Sequence, residues 1–274
     1  MATPADVFDR AMRCLLASDA SAYADLFAPD AVVQWPFAPD GWPKRLEGRD
    51  AIHIHVEGVF ARFKASGRKL VAVRDAVIHS MVVAFAKQGL TVLAFDQPGT
   101  GESTATLSKE GDEIVLGLVR EAKAIGNGWV AHFGLSFGAN FAAMTGLSGA
   151  VNAAVVLGGP TDKSFVEEHL GKLPYGMFDI LGNAMGFDRH PGVSELTSVA
   201  RGLSRHDLLQ QKENAPMLVI NGADDYFVPQ DDTLVFDGRR DTLVRLLPDT
   251  GHCAVSKMPE VMAMTTGWLR ERLA

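Results

Sequence analysis

The stretch HFGLSFGAN, His132 to Asn140, sets Gly134 two residues before Ser136 and Gly138 two residues after it. A pattern with three fixed positions arises by chance, so its flanks decide the reading. Upstream, Trp129 to Phe133 reads as a short buried strand. Downstream, Asn140 to Met144 is small and apolar, as the opening of a packed helix should be. Strand, sharp turn and helix form the frame in which a serine hydroxyl is pushed outward, and small neighbours leave room for the crowded backbone. The bland alternative is a serine that caps the following helix.

Working outward, the chain from Leu90 onward alternates short Val, Leu and Phe-rich runs with helical stretches: Thr91 to Phe95, Trp129 to Phe133, Ala153 to Leu157, Met217 to Ile220 and Thr242 to Leu247. That alternation predicts an α/β fold, a mostly parallel sheet flanked by helices. Between the third and fourth runs, Thr161 to Ala215 is too long for a plain crossover and reads as a lid or cap. The first third differs. Pro4 to Leu16, Ser21 to Phe27 and Asp50 to Phe63 have helical character around a strand at Ala31 to Trp35, a small α+β part. The expected domains are 1–79 and 80–274, with the cap insert at about 161–215.

Two later loops supply partners for the serine. NGADDYFVP, Asn221 to Pro229, and PDTGHCAV, Pro248 to Val255, each follow a strand, where an open parallel sheet gathers its functional loops. Asp225 is preferred to Asp224 as the acid, and His252 is the candidate base. Each has its own bland reading: an Asx-turn residue for Asp225, a surface histidine after a turn for His252. Together, serine, acid and histidine in that order at three strand ends point to nucleophilic catalysis.

Composition bounds the rest. The 274 residues are 47% hydrophobic, enough for one or two globular domains, and the formal net charge of -7 offers no basic footprint for nucleic acid. Cys14 and Cys253 lie far apart with no metal-ligand spacing, which fits free thiols in a reducing compartment. No secretory signal or membrane-length apolar run is visible, so the expectation is a soluble cytoplasmic protein acting on a small molecule without cofactor or metal, with homodimerisation left open. His53 and His55 point to different helix faces and make a poor metal pair. His132 reads as a satisfied buried imidazole. His169, His190 and His206 fall in the insert, where one of them could touch substrate. DQPGTGES, Asp96 to Ser103, reads as a structural turn.

From about Met81 onward, FDQPGTGES, GLSFGAN, VLGGP and INGADDYFVP resemble α/β-hydrolases, most of all the branch of fermentation-respiration switch esterases, dihydroxypseudooxynicotine hydrolase and fungal polyketide-shortening hydrolases. The resemblance implies a Ser136, Asp225, His252 triad that hydrolyses an ester or a carbon-carbon bond beside a ketone. Its alternative is a weak or inactive small-molecule-binding protein. In the first third, LFAPDAVVQWPF and LEGRDAI resemble the start of a SnoaL-like domain, which implies a cyclase or isomerase as a further alternative. The sequence departs from the hydrolase pattern at Leu70 to Met81, which occupies the place of the glycine-rich oxyanion loop without a glycine. One oxyanion donor is expected from the backbone N–H of Phe137. The other would come from the backbone near Arg74 to Val77 or from the Arg74 side chain, if Leu70 to Val73 is a strand beside Thr91 to Phe95. The insert's Phe165, Leu170, Leu173, Tyr175, Met177, Phe178, Ile180, Leu181, Met185 and Phe187 offer a lining for a hydrophobic or aromatic acyl compound.

Overall fold

The computed structural model describes residues 4–17, 19–34, 43–65, 76–101 and 103–273. The chain divides into two compact units, Met1–Ser80 and Met81–Ala274. In the first, helices Pro4–Ala17, Ala20–Ala24 and Arg49–Ala65 accompany an antiparallel pair, β1 (Val32–Gln34) and β2 (Arg45–Glu47). Ile52, Val56 and Phe60 recur every four residues, so one stripe of the long helix is apolar and is buried against Tyr23, Phe27, Val33 and Leu46. Asp19 caps Ala20–Ala24 by accepting the Ala22 N–H at 2.9 Å. The sequence does not announce β2, because three residues are too few to show an alternation.

The second unit carries four parallel strands in the order β3 (Ala131–Leu135), β4 (Ala153–Leu157), β5 (Met217–Gly222) and β6 (Thr242–Leu247). β4 and β5 are buried along their whole length, which is why AAVVL and MLVI read as unbroken apolar runs. Their side chains separate by the strand period of two. Val155, Leu157, Leu218 and Ile220 pack with Phe85 of helix Ala76–Lys87 and with Val261, Trp268 and Leu269 of helix Met258–Leu273. Ala154, Val156, Met217 and Val219 pack with Ala139, Ala142, Ala143 and Leu147 of helix Gly138–Leu147 and with Val119 of helix Gly111–Ile125. Helices thus cover both faces, as the alternation of runs predicts.

One expected strand is missing. Thr91 to Phe95 has no regular secondary structure and pairs with no described strand, and Leu93 and Phe95 stand 48% and 39% exposed. A lone β-prone run has no ladder to spend its backbone groups on, so composition alone cannot make it a strand. Leu70 to Val73 and Arg74 lie outside the described residues, and Ala76 to Met81 belongs to a helix rather than to a loop.

The insert folds into short helices, chiefly Tyr175–Ala184 and Val193–Ala200. The side chains expected to line a pocket have another use. Phe165, Leu170, Phe178, Leu181 and Met185 are buried with Leu107, Val115 and Phe141, and Leu173 and Phe187 pack against them, while Ile180 is 61% exposed. They form a core shared between the insert and helices Gly111–Ile125 and Gly138–Leu147. Both roots of the insert are pinned. The buried Asp232 carboxylate accepts the backbone N–H groups of Thr161, Asp162, Lys163 and Ser164 at 2.6 to 3.0 Å. The buried Arg205 grips Asp112 through two bonds of 2.7 and 2.8 Å and donates to Asn140 Oδ1, while its own N–H reaches Thr161 O.

Candidate active site

Three strand ends of the sheet meet. After β3, Ser136 adopts φ 54°, in the left-handed region that a side chain enters only under compulsion. The compulsion is local: the Ser136 N–H donates to Leu157 O at 2.8 Å, and helix Gly138–Leu147 starts two residues later. A Cβ on Gly134 would stand 2.5 Å from the Cα of Ala139, so only glycine lets the strand and helix approach this closely.

After β5, the loop turns the Asp225 carboxylate inward, whereas Asp224 is exposed. Asp225 Oδ1 accepts the N–H groups of Phe227 and Val228 at 2.8 and 3.2 Å, and Oδ2 accepts Asn221 Nδ2–H at 2.9 Å. After β6, Gly251 leads into His252, which is followed by two residues of positive φ, Cys253 and Ala254. His252 Nδ1 stands 2.8 Å from Asp225 Oδ2, and its Nε2 stands 2.8 Å from Ser136 Oγ. The structure therefore brings Ser136, His252 and Asp225 into one hydrogen-bonded chain. The expected donor near Arg74 lies outside the described residues.

The electrostatics follow from this arrangement. Burial works against the imidazolium of His252, but the hydrogen bond and charge of Asp225, with Cys253 beside the ring, outweigh it and push the pKa up to about 10. Burial likewise opposes the Asp225 carboxylate, and the bonds from His252, Asn221 and Phe227 overcome it and hold its pKa below the ordinary value. His132 behaves in the opposite way. Its Nδ1 meets Thr145 Oγ1 at 2.9 Å, and burial pushes its pKa down to about 4, so it is a neutral packing residue. Among the described residues, no group of three His, Cys, Asp or Glu side chains could hold a metal ion, and no helix is long and apolar enough to cross a membrane.

No protein-family model matches the chain. Over 51 residues, 19% of its length, it is 39% identical to an uncharacterized PhzA/B-like protein of Pseudomonas aeruginosa, and the match spans 36% of that relative. This partial likeness supports the SnoaL-like reading of the N-terminal part. Among solved structures, the 2,6-dihydroxy-pseudo-oxynicotine hydrolase matches with a TM-score of 0.61 at 20% identity, over 72% of this chain and 56% of that one. Wild-type AbyA5 matches with a TM-score of 0.64 at 15% identity, over 97% of this chain and 83% of that one. The larger unit has the α/β-hydrolase fold.

Within that hydrolase fold, the structure adds residues that spacing did not single out. Asn221, the fifth residue of β5, is a clamp: its Oδ1 accepts the N–H groups of Gly222 and Cys253 at 2.9 and 3.0 Å while its Nδ2 serves Asp225. An asparagine inside an otherwise apolar buried run was the available signal. His169 of the insert reaches Phe227 O with Nε2 at 2.8 Å, and the Phe227 ring stands edge-on to His252 with centroids 5.4 Å apart. An open cavity of about 380 Å³ lies at the insert root, lined by Lys109, Asp162, Phe165, Arg201, Ser204 and His206 among others, with none of Ser136, Asp225 or His252.

Proposed function

We propose that the chain is a serine hydrolase that cleaves an ester, or a carbon-carbon bond next to a ketone, in a hydrophobic or aromatic small molecule. The observation that carries this reading is the continuous chain Ser136 Oγ, His252, Asp225, with both contacts at 2.8 Å. Asp225 accepts Nδ1–H and so leaves Nε2 to take the serine proton. As that proton moves, Oγ bonds to the carbonyl carbon and the carbonyl electrons move onto its oxygen, where the backbone N–H of Phe137 stabilises them. Collapse expels the alkoxide of an ester, or the carbanion of a cleaved carbon-carbon bond, which takes the proton from His252. Water, deprotonated in turn by His252, then releases the acid and restores Ser136.

Aromatic side chains around this centre support the substrate class. Phe227 stands edge-on to His252, and Tyr226 beside Asp225 is 55% exposed. The resemblance to a hydrolase whose named substrate is 2,6-dihydroxy-pseudo-oxynicotine points the same way. A fluorophosphonate label tests the reading. Wild-type protein should be modified covalently at Ser136 and hydrolyse p-nitrophenyl butyrate, and Ser136→Ala should do neither while keeping its Tm. A folded wild-type protein that never labels sinks the hydrolase reading and favours a binding protein.

A further inference from the structure

Beside the turn that carries Ser136 stands a carboxamide oxygen with no partner. Gln97, in the turn that follows Thr91 to Phe95, presents a buried Oε1 that finds no hydrogen-bond partner. Its place is defined by Gly138: a Cβ on that glycine would lie 3.1 Å from Gln97 Oε1. Gly138 is two residues past Ser136 and opens the helix that starts there.

The turn holds Gln97 in position rather than leaving it on a loose loop. The Gln97 carbonyl accepts both the N–H and the hydroxyl of Thr100, at 3.1 and 3.0 Å, and the Gly99 N–H donates to Ala105 O at 2.6 Å. Pro98 is buried against Gly111. A positioned side chain with an unsatisfied buried polar atom is destabilising, a cost that persists where a ligand is meant to satisfy it.

The neighbouring backbone presents donors. Among the described residues, the N–H groups of Phe137 and Gly138 meet no acceptor, while those of Ser136, Ala139 and Asn140 are all bonded. Gln97 Oε1, close to Gly138, accepts neither of these N–H groups. Rotating the carboxamide by half a turn about its soft terminal torsion exchanges Oε1 for Nε2 with almost no heavy-atom movement, and the O and N positions of an amide are assigned from partners rather than observed. An NH₂ group then stands beside the elbow N–H groups, and such a set is satisfied only when an oxygen arrives.

We propose that the Gln97 carboxamide contacts the substrate, donating from Nε2 to the carbonyl oxygen under attack by Ser136 as the second donor alongside Phe137 N–H. This inference rests on the serine hydrolase reading and deepens it. The N–H bond of Gln97 stays intact throughout; it stabilises the charge that forms when Oγ adds to the carbonyl and is released when the carbonyl returns. Gln97 thereby fills the role expected near Arg74, from the turn after Thr91 to Phe95.

Gln97→Leu removes the amide at similar volume, and Gln97→Glu replaces it with an acceptor-only carboxylate. With p-nitrophenyl butyrate, Gln97→Leu should lower kcat about 100-fold with KM changed less than threefold, as loss of an oxyanion donor does. The rate of fluorophosphonate labelling at Ser136 should fall in parallel, because the phosphoryl oxygen occupies the same place, and Gln97→Glu should be the slower of the two. Tm should stay within a few degrees of wild type, which separates loss of a donor from loss of structure. If wild type labels and both variants keep kcat within twofold, Gln97 has no part in the chemistry and the inference fails while the hydrolase reading stands. If wild type itself does not label, both fail.

Discussion

The loops after β5 and β6 and the segment on the other side of Ser136 are built to different standards. At the rear, Asp225 accepts four hydrogen bonds, Asn221 ties its own loop to Cys253, and Ala223 and Asp224 donate to Leu247 and Thr250. At the front, the outer edge of β3 has no described partner strand, Thr91 to Phe95 forms no ladder, and Gln97 Oε1 is unsatisfied. On the serine hydrolase reading we propose, the difference means that proton transfer is preorganised while stabilisation of the developing oxyanion is left to few groups. These are separable contributions to rate.

The sharpest way to break the comparison is at the rear. Asp225→Asn keeps the shape of the side chain but offers His252 Nδ1 an amide that no longer fixes the tautomer, and the Phe227 and Val228 N–H groups lose their anion. Turnover of p-nitrophenyl butyrate should fall about 10⁴-fold. A loss of less than tenfold would mean that the rear clamp is architecture and that the rate is set elsewhere.

The pH dependence comes next in size. The neutral imidazole accepts the serine proton, and the pKa of His252 is raised to about 10, so the rate should climb through one ionisation on the alkaline side of the ordinary value of about 6.5. Stability runs the other way. The paired imidazolium contributes fully below the ordinary value and loses its contribution as pH rises toward 10, whereas the lowered pKa of Asp225 gives a contribution that is present above about 3.9 and lost as pH falls through the folded value. Initial rates and Tm measured from pH 5 to 10 should diverge, and a rate that is flat across that range would remove His252 as the base.

What the sequence made legible follows the same division. β4 and β6 were read with their observed ends, and β5 was read two residues short, because runs buried on both faces are continuous and bounded by turns. The grouping of Ser136, His252 and Asp225 in one hydrogen-bonded chain is legible in the sequence because each lies in the turn or loop that follows a strand. The contacts of Asn221 and His169 are not, since their partners Asp225, Cys253 and Phe227 lie 4, 32 and 58 residues away, which spacing does not encode. Thr91 to Phe95 reads as a strand because strand propensity registers a residue's fit to a pleated surface, and among the described residues no strand pairs with it. For the insert's apolar residues, periodicity tells which face is apolar, not whether that face meets a ligand or the protein's own core.

The smallest expected effect tests the front directly. Leu93 sits at the centre of Thr91 to Phe95 and is 48% exposed, whereas Leu218 lies in β5 at 0%. Had both been interior strand residues, removing either would open a cavity of similar kind. In the observed structure, Leu218→Ala should cost about 2–5 kcal/mol in urea unfolding, because the packed neighbours on both sides cannot close the space. Leu93→Ala should cost no more than about 0.5 kcal/mol, because its side chain already faces water over half of its surface. Val92, which packs against the sheet core, should fall between the two. A cost for Leu93→Ala approaching that of Leu218→Ala would mean that the front segment is enclosed in the folded protein and that the two sides of the site are built alike.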